Sequence, residues 1–593
     1  MCGLSGEIRF DGRRPDLAAV RRMSDRLAAR GPDGHGLWSR GAVALAHQRL
    51  KIIDLSDQGA QPMTDAEQEV TGVFNGCIYN YQDLREELLG LGHRFRSTSD
   101  TEVVLAAYRQ WGTSCVDRFH GMFAFAVVEH RTGRLVLGRD RLGIKPLYVA
   151  QAPGRLRFAS SLPALLAGGE VDTSLDPVAV HQYLSWHATV AAPRTVLAGV
   201  RKLPPATVRV VEADGRQRDH RYWQPSYTRR PEYRDMSPSE WRDAVLDALR
   251  TAVRRRMVAD VPVGVLLSGG LDSSLIVALL SDEGQRHLAT FSVGFESEGG
   301  AEGNEFRYSD LVAGEFATDH HQLMVPSERV STALDGAVAA MSEPMISHDV
   351  VAFHLLSEQV AKDVKVVQSG QGADEVFAGY HWYPDLASVA REDEPDRYAE
   401  TYFDRSHADL ARILQPDMLP ADDVSGRFVR EHMAVPGAET ALDAALRLDT
   451  HVMLVDDPVK RVDNMTMDWG LEARVPFLDH QLVELAAACP PELKLADGGK
   501  GVLKEAGRKL LPQDVVDRPK GYFPVPAITH MAGPVLDRVR EALAAPEAKR
   551  RGLFQESYLA ELLAAPDAHR TRRGANALWQ VALLEIWLQT HGI

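Results

Sequence analysis

The sequence has few cysteines, no long hydrophobic run and no excess of positive charge. Its four cysteines, in a chain of 593 residues, are too few for a disulfide framework, and none forms a C-x-x-C pair. The net charge of −15 has the wrong sign for a surface that binds nucleic acid or an anionic membrane. No apolar stretch reaches the length of a membrane span, and the N-terminal residues do not form a secretory signal. We therefore expect a cytoplasmic protein without nucleic-acid or membrane partners.

The phosphate-binding pattern G-x-x-x-x-G-K-[ST] is also missing. Instead, the apolar run 263–267 predicts a buried strand, the turn Ser268-Gly269-Gly270 follows it, and Asp272-Ser273-Ser274 opens a run with helical spacing. Unpaired backbone N–H groups and the positive end of the helix dipole meet at such a turn and form an anion site. The adjacent aspartate indicates that a divalent cation such as Mg²⁺ lies between it and a phosphate.

The length predicts more than one domain, since one domain takes roughly 150 residues. Residues 1–212 combine short strand-like runs with amphipathic helical spacing and predict a mixed α+β domain. A polar stretch at residues 213–236 predicts a linker. Residues 237–593 alternate helical segments with buried-type strands and end in a helical part. This alternation predicts a doubly wound parallel sheet that binds ligands at the carboxyl ends of its strands.

Cys2 is a candidate nucleophile. It follows the initiator methionine, and removal of Met1 would leave one residue with both a thiol and a free α-amine. Because the amine titrates near about 8 and the thiol near about 8.5, that residue can supply nucleophile and base. Taken alone, Cys2 is more simply interpreted as an incidental cysteine.

Short motifs along the first half support the nucleophile interpretation. They include Cys2-Gly-Leu-Ser-Gly6, Arg30-Gly-Pro-Asp33, His47-Gln-Arg-Leu50, Phe74-Asn-Gly76, Ser99-Asp-Thr-Glu102 and Arg139-Asp-Arg-Leu-Gly-Ile-Lys-Pro-Leu147. Together they resemble the class II glutamine amidotransferases of the N-terminal-nucleophile hydrolase family. The resemblance implies a four-layer αββα sandwich in which Cys2 attacks the γ-amide of glutamine. It also implies an oxyanion hole from Asn75 and the Gly76 N–H, worth roughly 3 kcal/mol per donor, with Arg49 on the glutamine carboxylate and Asp100 on its amine.

The second half carries a further set of motifs, namely 260–274, Phe291-Ser-Val-Gly294, Val366–Tyr380, Leu471-Glu-Ala-Arg-Val-Pro-Phe-Leu-Asp479 and Arg518-Pro-Lys-Gly-Tyr-Phe523. With the first half, they resemble the glutamine-dependent asparagine synthetases. That resemblance implies an ATP-pyrophosphatase domain that adenylates a carboxylate, and a homodimer. The implied ATP contacts are Leu266, Ser268, Gly269, Gly270, Asp272, Ser273, Ser274, Val293, Ser369 and Gly370. The implied Mg²⁺ ligands are Asp272 and Asp374, and Lys520 is the implied catalytic lysine.

Three positions depart from the family pattern, which usually has an acidic residue where this chain has Cys77, Ser161 and Gln371. The longer runs 341–349, 368–384 and 454–467 resemble the N-acetylglutaminylglutamine amidotransferases, which amidate an acetylated dipeptide to make an osmoprotectant. We therefore expect that dipeptide as the acceptor, with aspartate as the alternative. Cys77 could be a second catalytic thiol, a redox partner of Cys2 or simply a small buried side chain.

Two other classes of protein stay open. β-Lactam synthetases resemble the second half but lack an N-terminal cysteine, so Cys2 argues against them. A non-catalytic regulator that binds glutamine or nucleotide would be consistent with Cys77 and Gln371, although the retained Asn75 and Asp272 argue for activity. For a two-site enzyme we expect an apolar passage between the sites, because ammonia is mostly protonated in water at neutral pH.

Overall fold

The computed structural model describes residues 2–65, 67, 69–296, 304–347, 349–519 and 531–593, apart from the side chain of Ser327. The strands are β1 (Gly3–Arg9), β2 (Gly34–Arg40), β3 (Val43–Arg49), β4 (Met63–Thr64), β5 (Val70–Ile78), β6 (Gly121–Glu129), β7 (Leu135–Arg139), β8 (Tyr148–Ala152), β9 (Arg155–Ala159), β10 (Val200–Lys202), β11 (Thr207–Val211), β12 (Gln217–Arg221), β13 (Val263–Leu266), β14 (Ala289–Phe295), β15 (Asp319–Val325), β16 (Val366–Gln368) and β17 (Glu472–Arg474).

Helices of eight residues or more surround these strands. They are Leu17–Asp25, Tyr81–Gly90, Asp100–Trp111, Pro177–Ser185, Pro238–Arg255, Leu271–Asp282, Phe306–Glu315, Ser327–Ala340, Asp349–Val360, Glu394–Tyr402, Val424–Ala434, Ala441–Leu448, Lys460–Met467, His480–Ala488, Gly533–Ala544, Glu556–Ala564 and Ala577–Thr590. Within the described ranges, none of them combines the length and apolar character needed to cross a membrane.

Two antiparallel six-stranded sheets stack face to face in the first part of the chain. One has the order β10-β8-β9-β1-β3-β2 and the other the order β12-β11-β7-β6-β5-β4. Their facing side chains form a shared core that includes Leu4, Leu45 and Val73. The helix Leu17–Asp25 packs on the outside of the first sheet, and the helix Asp100–Trp111 covers the second. This arrangement confirms the predicted αββα sandwich.

The polar stretch that we predicted as a linker contains a strand. β12 pairs with β11 and forms the edge of the second sheet. Its side chains are polar and mostly exposed, so the sequence had no hydrophobic alternation to indicate a strand. The division of the chain at 212 and 237 stays a prediction.

The third sheet is parallel and has the order β15-β14-β13-β16-β17. The chain runs outward from β13 to β15 and then returns to place β16 beside β13, so the strand order reverses between these two strands. Doubly wound sheets bind ligands at such a reversal, outside the carboxyl ends of the strands. The predicted doubly wound fold is therefore confirmed, and it brings the turns after β13 and β16 together.

A buried ion cluster joins the two halves of the chain. Arg30 Nη1 lies 2.8 Å from Asp463 Oδ2, and Lys145 Nζ lies 3.3 Å from Asp463 Oδ1. Arg30 and Lys145 belong to the first half, whereas Asp463 lies on the helix Lys460–Met467. Burial by itself would raise the pKa of Asp463, but the two cations outweigh this effect and lower the pKa below its usual value. The carboxylate therefore stays ionised between them.

We predict that Asp463→Ala lowers the melting temperature by at least about 5 °C, because breaking a buried pair costs about 3–5 kcal/mol. Arg30 and Lys145 would stay buried without a counter-charge. Differential scanning fluorimetry measures the shift. The control is Asp214→Ala, whose carboxylate pairs with Arg216 on the exposed surface, and it should shift the melting temperature by less than about 1 °C. Equal shifts in melting temperature for the two variants would contradict the stabilising role of the buried Asp463 cluster.

Candidate active sites

A cavity beside Cys2 brings together most of the predicted glutaminase residues. Cys2 directly precedes β1, Arg49 ends β3, Gly76 lies on β5, and Asp100 begins the helix Asp100–Trp111; all four line the cavity. Side chains of the first half form most of its wall, and Glu472 of β17 adds a carboxylate from the second half. One cavity is therefore lined by a thiol, a guanidinium group and two carboxyl groups.

Asn75 is held against Cys2 and keeps one donor unused. The Cys2 backbone N–H donates to Asn75 Oδ1 over 3.0 Å. Asn75 Nδ2 is buried and has no hydrogen-bond partner among the described residues. Leaving a buried amide donor unpaired costs about 1–3 kcal/mol, so such a group is typical of a site that a ligand completes. A fixed N–H donor beside a thiol is what an oxyanion hole requires.

Two cysteines line this cavity, and burial keeps both thiols protonated. Burial raises the pKa of the Cys2 thiol, so the thiol is protonated at neutral pH and needs a base to become a nucleophile. Burial also raises the pKa of Cys77, whose Sγ lies 3.7 Å from Arg474 Nη2. Both thiols are free. Cys77 is a small, buried and protonated side chain, as its simplest interpretation predicted.

Arg49 and Asp100 are each fixed by the backbone. Arg49 Nη1 donates to Ser56 O over 2.7 Å, and its Nη2 donates to Asp54 O. Asp100 Oδ2 accepts from the Ile78 N–H over 3.1 Å. Burial raises the pKa of Asp100 to about 7, and the negative charge of Glu472 adds to the increase. Asp100 therefore titrates near neutral pH, and an ammonium group bound beside it would favour its ionised form.

The predicted phosphate turn has the expected geometry. β13 ends at Leu266, Gly269 turns the chain with a φ of +72°, and the helix Leu271–Asp282 begins immediately after Gly270. Ser268 and Ser273 are joined by a 3.1 Å contact between their Oγ atoms. The helix N-terminus and the Ser268 and Ser273 hydroxyls therefore surround one point, where an anion would gain several donors.

The turn after β16 lies against this helix. A methyl group on Gly370 would be 3.0 Å from Asp272 Cβ and 3.1 Å from Ser273 N, so the two loops are in close contact. Ser369 N donates to Arg474 O over 2.8 Å, which fixes the second loop to β17. Val293 lies on β14 beyond the residue that pairs with Leu266, at the same edge of the sheet. Lys520 lies outside the described residues.

Lys500 joins the two carboxylates that were predicted to hold Mg²⁺. Its Nζ lies 2.6 Å from Asp272 Oδ2 and 2.9 Å from Asp374 Oδ1. The carboxylates therefore converge on one point that already accommodates a cation. Among the described residues, no group of three or more His, Cys, Asp and Glu side chains could hold a metal ion. A metal at this point would depend on Asp272, Asp374 and the phosphate oxygens of a nucleotide, which suits Mg²⁺.

Lys500 and Glu472 were missed in the sequence analysis. Lys500 follows two glycines and has a left-handed backbone with a φ of 57°. The glycine pair was a signal for an unusual turn, but it did not indicate which side chain reaches Asp272. Glu472 lies within the motif Leu471–Asp479, which we assigned to the second half, and no local pattern points it toward the first half.

Comparisons with known proteins identify the families that both halves of the chain match. Residues 1–223 match the family model for the glutamine amidotransferase domain, and residues 244–589 match the one for asparagine synthase. Asparagine synthetase [glutamine-hydrolyzing] 3 of Bacillus subtilis is 31% identical over 88% of this chain and 87% of that protein. Asparagine synthetase [glutamine-hydrolyzing] 1 of the same organism is 30% identical, with 96% and 93% covered. A putative asparagine synthetase of Mycobacterium bovis is 32% identical, with 96% and 93% covered.

Replacing Lys500 tests whether the two carboxylates form a cation site. In Lys500→Ala, Asp272 and Asp374 would repel each other, so millimolar MgCl₂ should raise the melting temperature by about 2–4 °C more than in the wild type. Differential scanning fluorimetry without nucleotide makes the measurement. The control is Lys509→Ala, which removes a lysine paired with Asp243 at the surface, and it should respond to MgCl₂ as the wild type does. An Mg²⁺ response that is the same in Lys500→Ala and the wild type would argue against a metal at this point.

Proposed function

The chain belongs to the glutamine-hydrolysing asparagine synthetase family, and from this premise we propose that it amidates the carboxylate of N-acetylglutaminylglutamine. It is a carbon–nitrogen ligase of the type that takes nitrogen from glutamine. ATP would be cleaved to AMP and pyrophosphate as the acceptor is adenylated, and ammonia would then displace AMP. The observation that carries the two-site scheme is the presence, in one chain, of the Cys2 cavity with Asn75 beside it and of the Asp272–Asp374 pair where the strand order of the parallel sheet reverses.

The first half is built to release ammonia. After removal of Met1, the α-amine of Cys2 can take the proton of its own thiol, which burial keeps protonated. The sulfur then attacks the γ-carbonyl of glutamine. Asn75 Nδ2 and the Gly76 N–H would donate to the oxyanion, and the proton on the amine would pass to the departing ammonia. Water then hydrolyses the thioester and releases glutamate.

The second half is built to hold a nucleotide by its phosphates. The turn at Ser268–Gly270 and the start of the following helix supply N–H and hydroxyl donors, and Ser369 and Gly370 close the other side. Lys500 occupies the point between the two carboxylates and would stabilise added negative charge there. Asp272 and Asp374 are the residues that would hold Mg²⁺ if it binds with the nucleotide, and the ion would supply charge neutralisation for the phosphates.

The choice of acceptor is supported by where the three branch-like runs lie. Arg461 is in the third run, and its Nη1 lies 3.7 Å from Asp349 Oδ2 at the end of the first. Burial lowers the pKa of Arg461, but Asp457, Asp349, Tyr380 and Glu375 outweigh this effect and raise it. Residues of all three runs therefore act electrostatically on one guanidinium group. We propose that this cluster selects the acceptor.

Aspartate is the alternative acceptor, and the similarity to asparagine synthetases supports it equally well. Neither acceptor changes the roles proposed for Cys2, Asp272 and Asp374. A regulator without catalysis is disfavoured, because binding glutamine would not by itself require the Cys2 thiol, which lies in the cavity with Asn75 beside it.

Cys2→Ala should abolish glutamine-driven synthesis, with a loss of at least about 10³-fold, and should keep ammonia-driven synthesis. The variant removes the sulfur that cleaves the γ-amide, whereas ammonium chloride supplies the nitrogen directly. Pyrophosphate release is followed with each nitrogen source. Cys115→Ala, which removes a buried thiol that does not line the cavity, is the matched control and should keep both activities. Loss of ammonia-driven synthesis in a folded Cys2→Ala protein would contradict the two-site scheme.

Assays with each acceptor offered separately test which carboxylate the protein amidates. With ATP, MgCl₂ and glutamine, we expect N-acetylglutaminylglutamine to raise pyrophosphate release at least about tenfold more than aspartate does, because a site built for one ligand's polar groups discriminates strongly against another. Mass spectrometry of the amide identifies the product. Release with aspartate alone would assign the chain to asparagine synthesis, and silence with both acceptors would overturn the dipeptide proposal.

A further inference from the structure

Glu472 belongs to the second half but faces the glutaminase cavity of the first. It begins β17, the edge strand of the parallel sheet, and only 1% of its surface is exposed. It lines the same cavity as Cys2, Arg49 and Asp100. The scheme proposed above leaves this carboxylate without a role.

The charge of Glu472 is secured by its neighbours. Arg474 Nε donates to Glu472 Oε1 over 2.6 Å. Burial by itself would raise the pKa of Glu472, but the positive charges of the N-terminus, Arg474 and Lys145 outweigh it and lower the pKa to about 2. Asp100, the other carboxyl group of the cavity, has a pKa raised to about 7. Glu472 is therefore the carboxylate that stays ionised throughout the neutral range.

An amino acid bound in the cavity would bring a further positive charge to this anion. Arg49 suits the α-carboxylate of an amino acid, because its fork can hold two oxygens. An amino acid bound by Arg49 with its side-chain amide at Cys2 also brings an α-ammonium group into the cavity. A buried ammonium group needs an ionised partner. Cys77, whose thiol is protonated, cannot provide one.

We propose that Glu472 binds the α-ammonium group of glutamine together with Asp100, so that the synthetase half completes the glutamine site. This inference rests on the proposed function, because it requires glutamine as the ligand of the cavity. It makes Glu472 a specificity-determining residue: donors without a free α-ammonium group lose the interaction. It also means that glutamine is bound fully only while β17 is in place.

Glu472→Gln provides the test, since it keeps the size of the side chain and an acceptor for Arg474. In the full-length protein, KM for glutamine should rise about tenfold while kcat of glutamine hydrolysis changes less than about twofold. Selectivity for glutamine over α-N-acetylglutamine should fall by a similar factor, which a loss of packing alone would not cause. The double variant Glu472→Gln with Cys77→Glu returns a carboxylate to the cavity and should recover most of the selectivity.

Asp479→Asn is the matched control. Asp479 is equally buried, pairs with Arg255 and Arg256, and lies in the same segment of the chain. Its replacement should leave KM for glutamine and the selectivity unchanged. If Glu472→Gln does not fold, Glu472→Asp takes its place. The aspartate keeps the negative charge, but its shorter side chain holds the carboxylate farther from the ligand, so KM for glutamine should still rise by about threefold.

The outcomes separate the two proposals. A wild-type protein that hydrolyses no glutamine would overturn the proposed function, and this inference with it. A wild type that hydrolyses glutamine, combined with an unchanged KM and selectivity in folded Glu472→Gln or Glu472→Asp, would overturn the role of Glu472 alone. A rise in KM that is the same for glutamine and α-N-acetylglutamine would also overturn it, because the effect would then not involve the ammonium group.

Discussion

Charges buried between the two halves have to be paired across the interface, and this constraint determines how the two sites face each other. Asp463 pairs with Arg30 and Lys145, and Lys202 of β10 lies 3.0 Å from Glu343 and close to Asp456. Leaving one of these ions unpaired would cost several kcal/mol. A small rotation between the halves would break several pairs together, so the interface permits one arrangement. Arg30 Nε also donates to Cys2 O over 3.3 Å, which ties the nucleophile itself to that arrangement.

β17 shows how closely the two sites are connected. The side chain at its first residue, Glu472, lines the cavity of Cys2, and the carbonyl at its third residue, Arg474, accepts from the Ser369 N–H beside the phosphate turn. Because β17 is an edge strand, it is held to the sheet on one side only, by β16. The two sites are therefore in contact with one strand of three residues.

The sequence predicted those parts of the molecule that depend on neighbouring residues. The strand, turn and helix around Ser268–Ser274 follow from a local change of hydrophobic period, and the alternation of elements implied the parallel sheet. Residues whose importance comes from distant contacts were not predictable in this way. Lys500 meets Asp272 across 228 positions of sequence, and Glu472 reaches a cavity formed near residues 2 and 100. β12 was missed for a different reason, because an exposed edge strand needs no apolar alternation.

The apolar passage expected for ammonia stays a prediction, and the charged residues near Cys2 add a second requirement. Glu472 lines the Cys2 cavity, the Arg474 carbonyl accepts from the Ser369 N–H, and Asp463 pairs with Arg30, which donates to the Cys2 carbonyl. Ammonia stays neutral if none of its neighbours gives it a proton. Asp463 and Glu472 have lowered pKa values and therefore have no proton to give. Arg474, whose pKa is raised, keeps its own. Lys145 is the exception, because burial lowers its pKa. The negative charge of Asp463 opposes that effect, so the same carboxylate that joins the two halves also helps Lys145 to retain its proton.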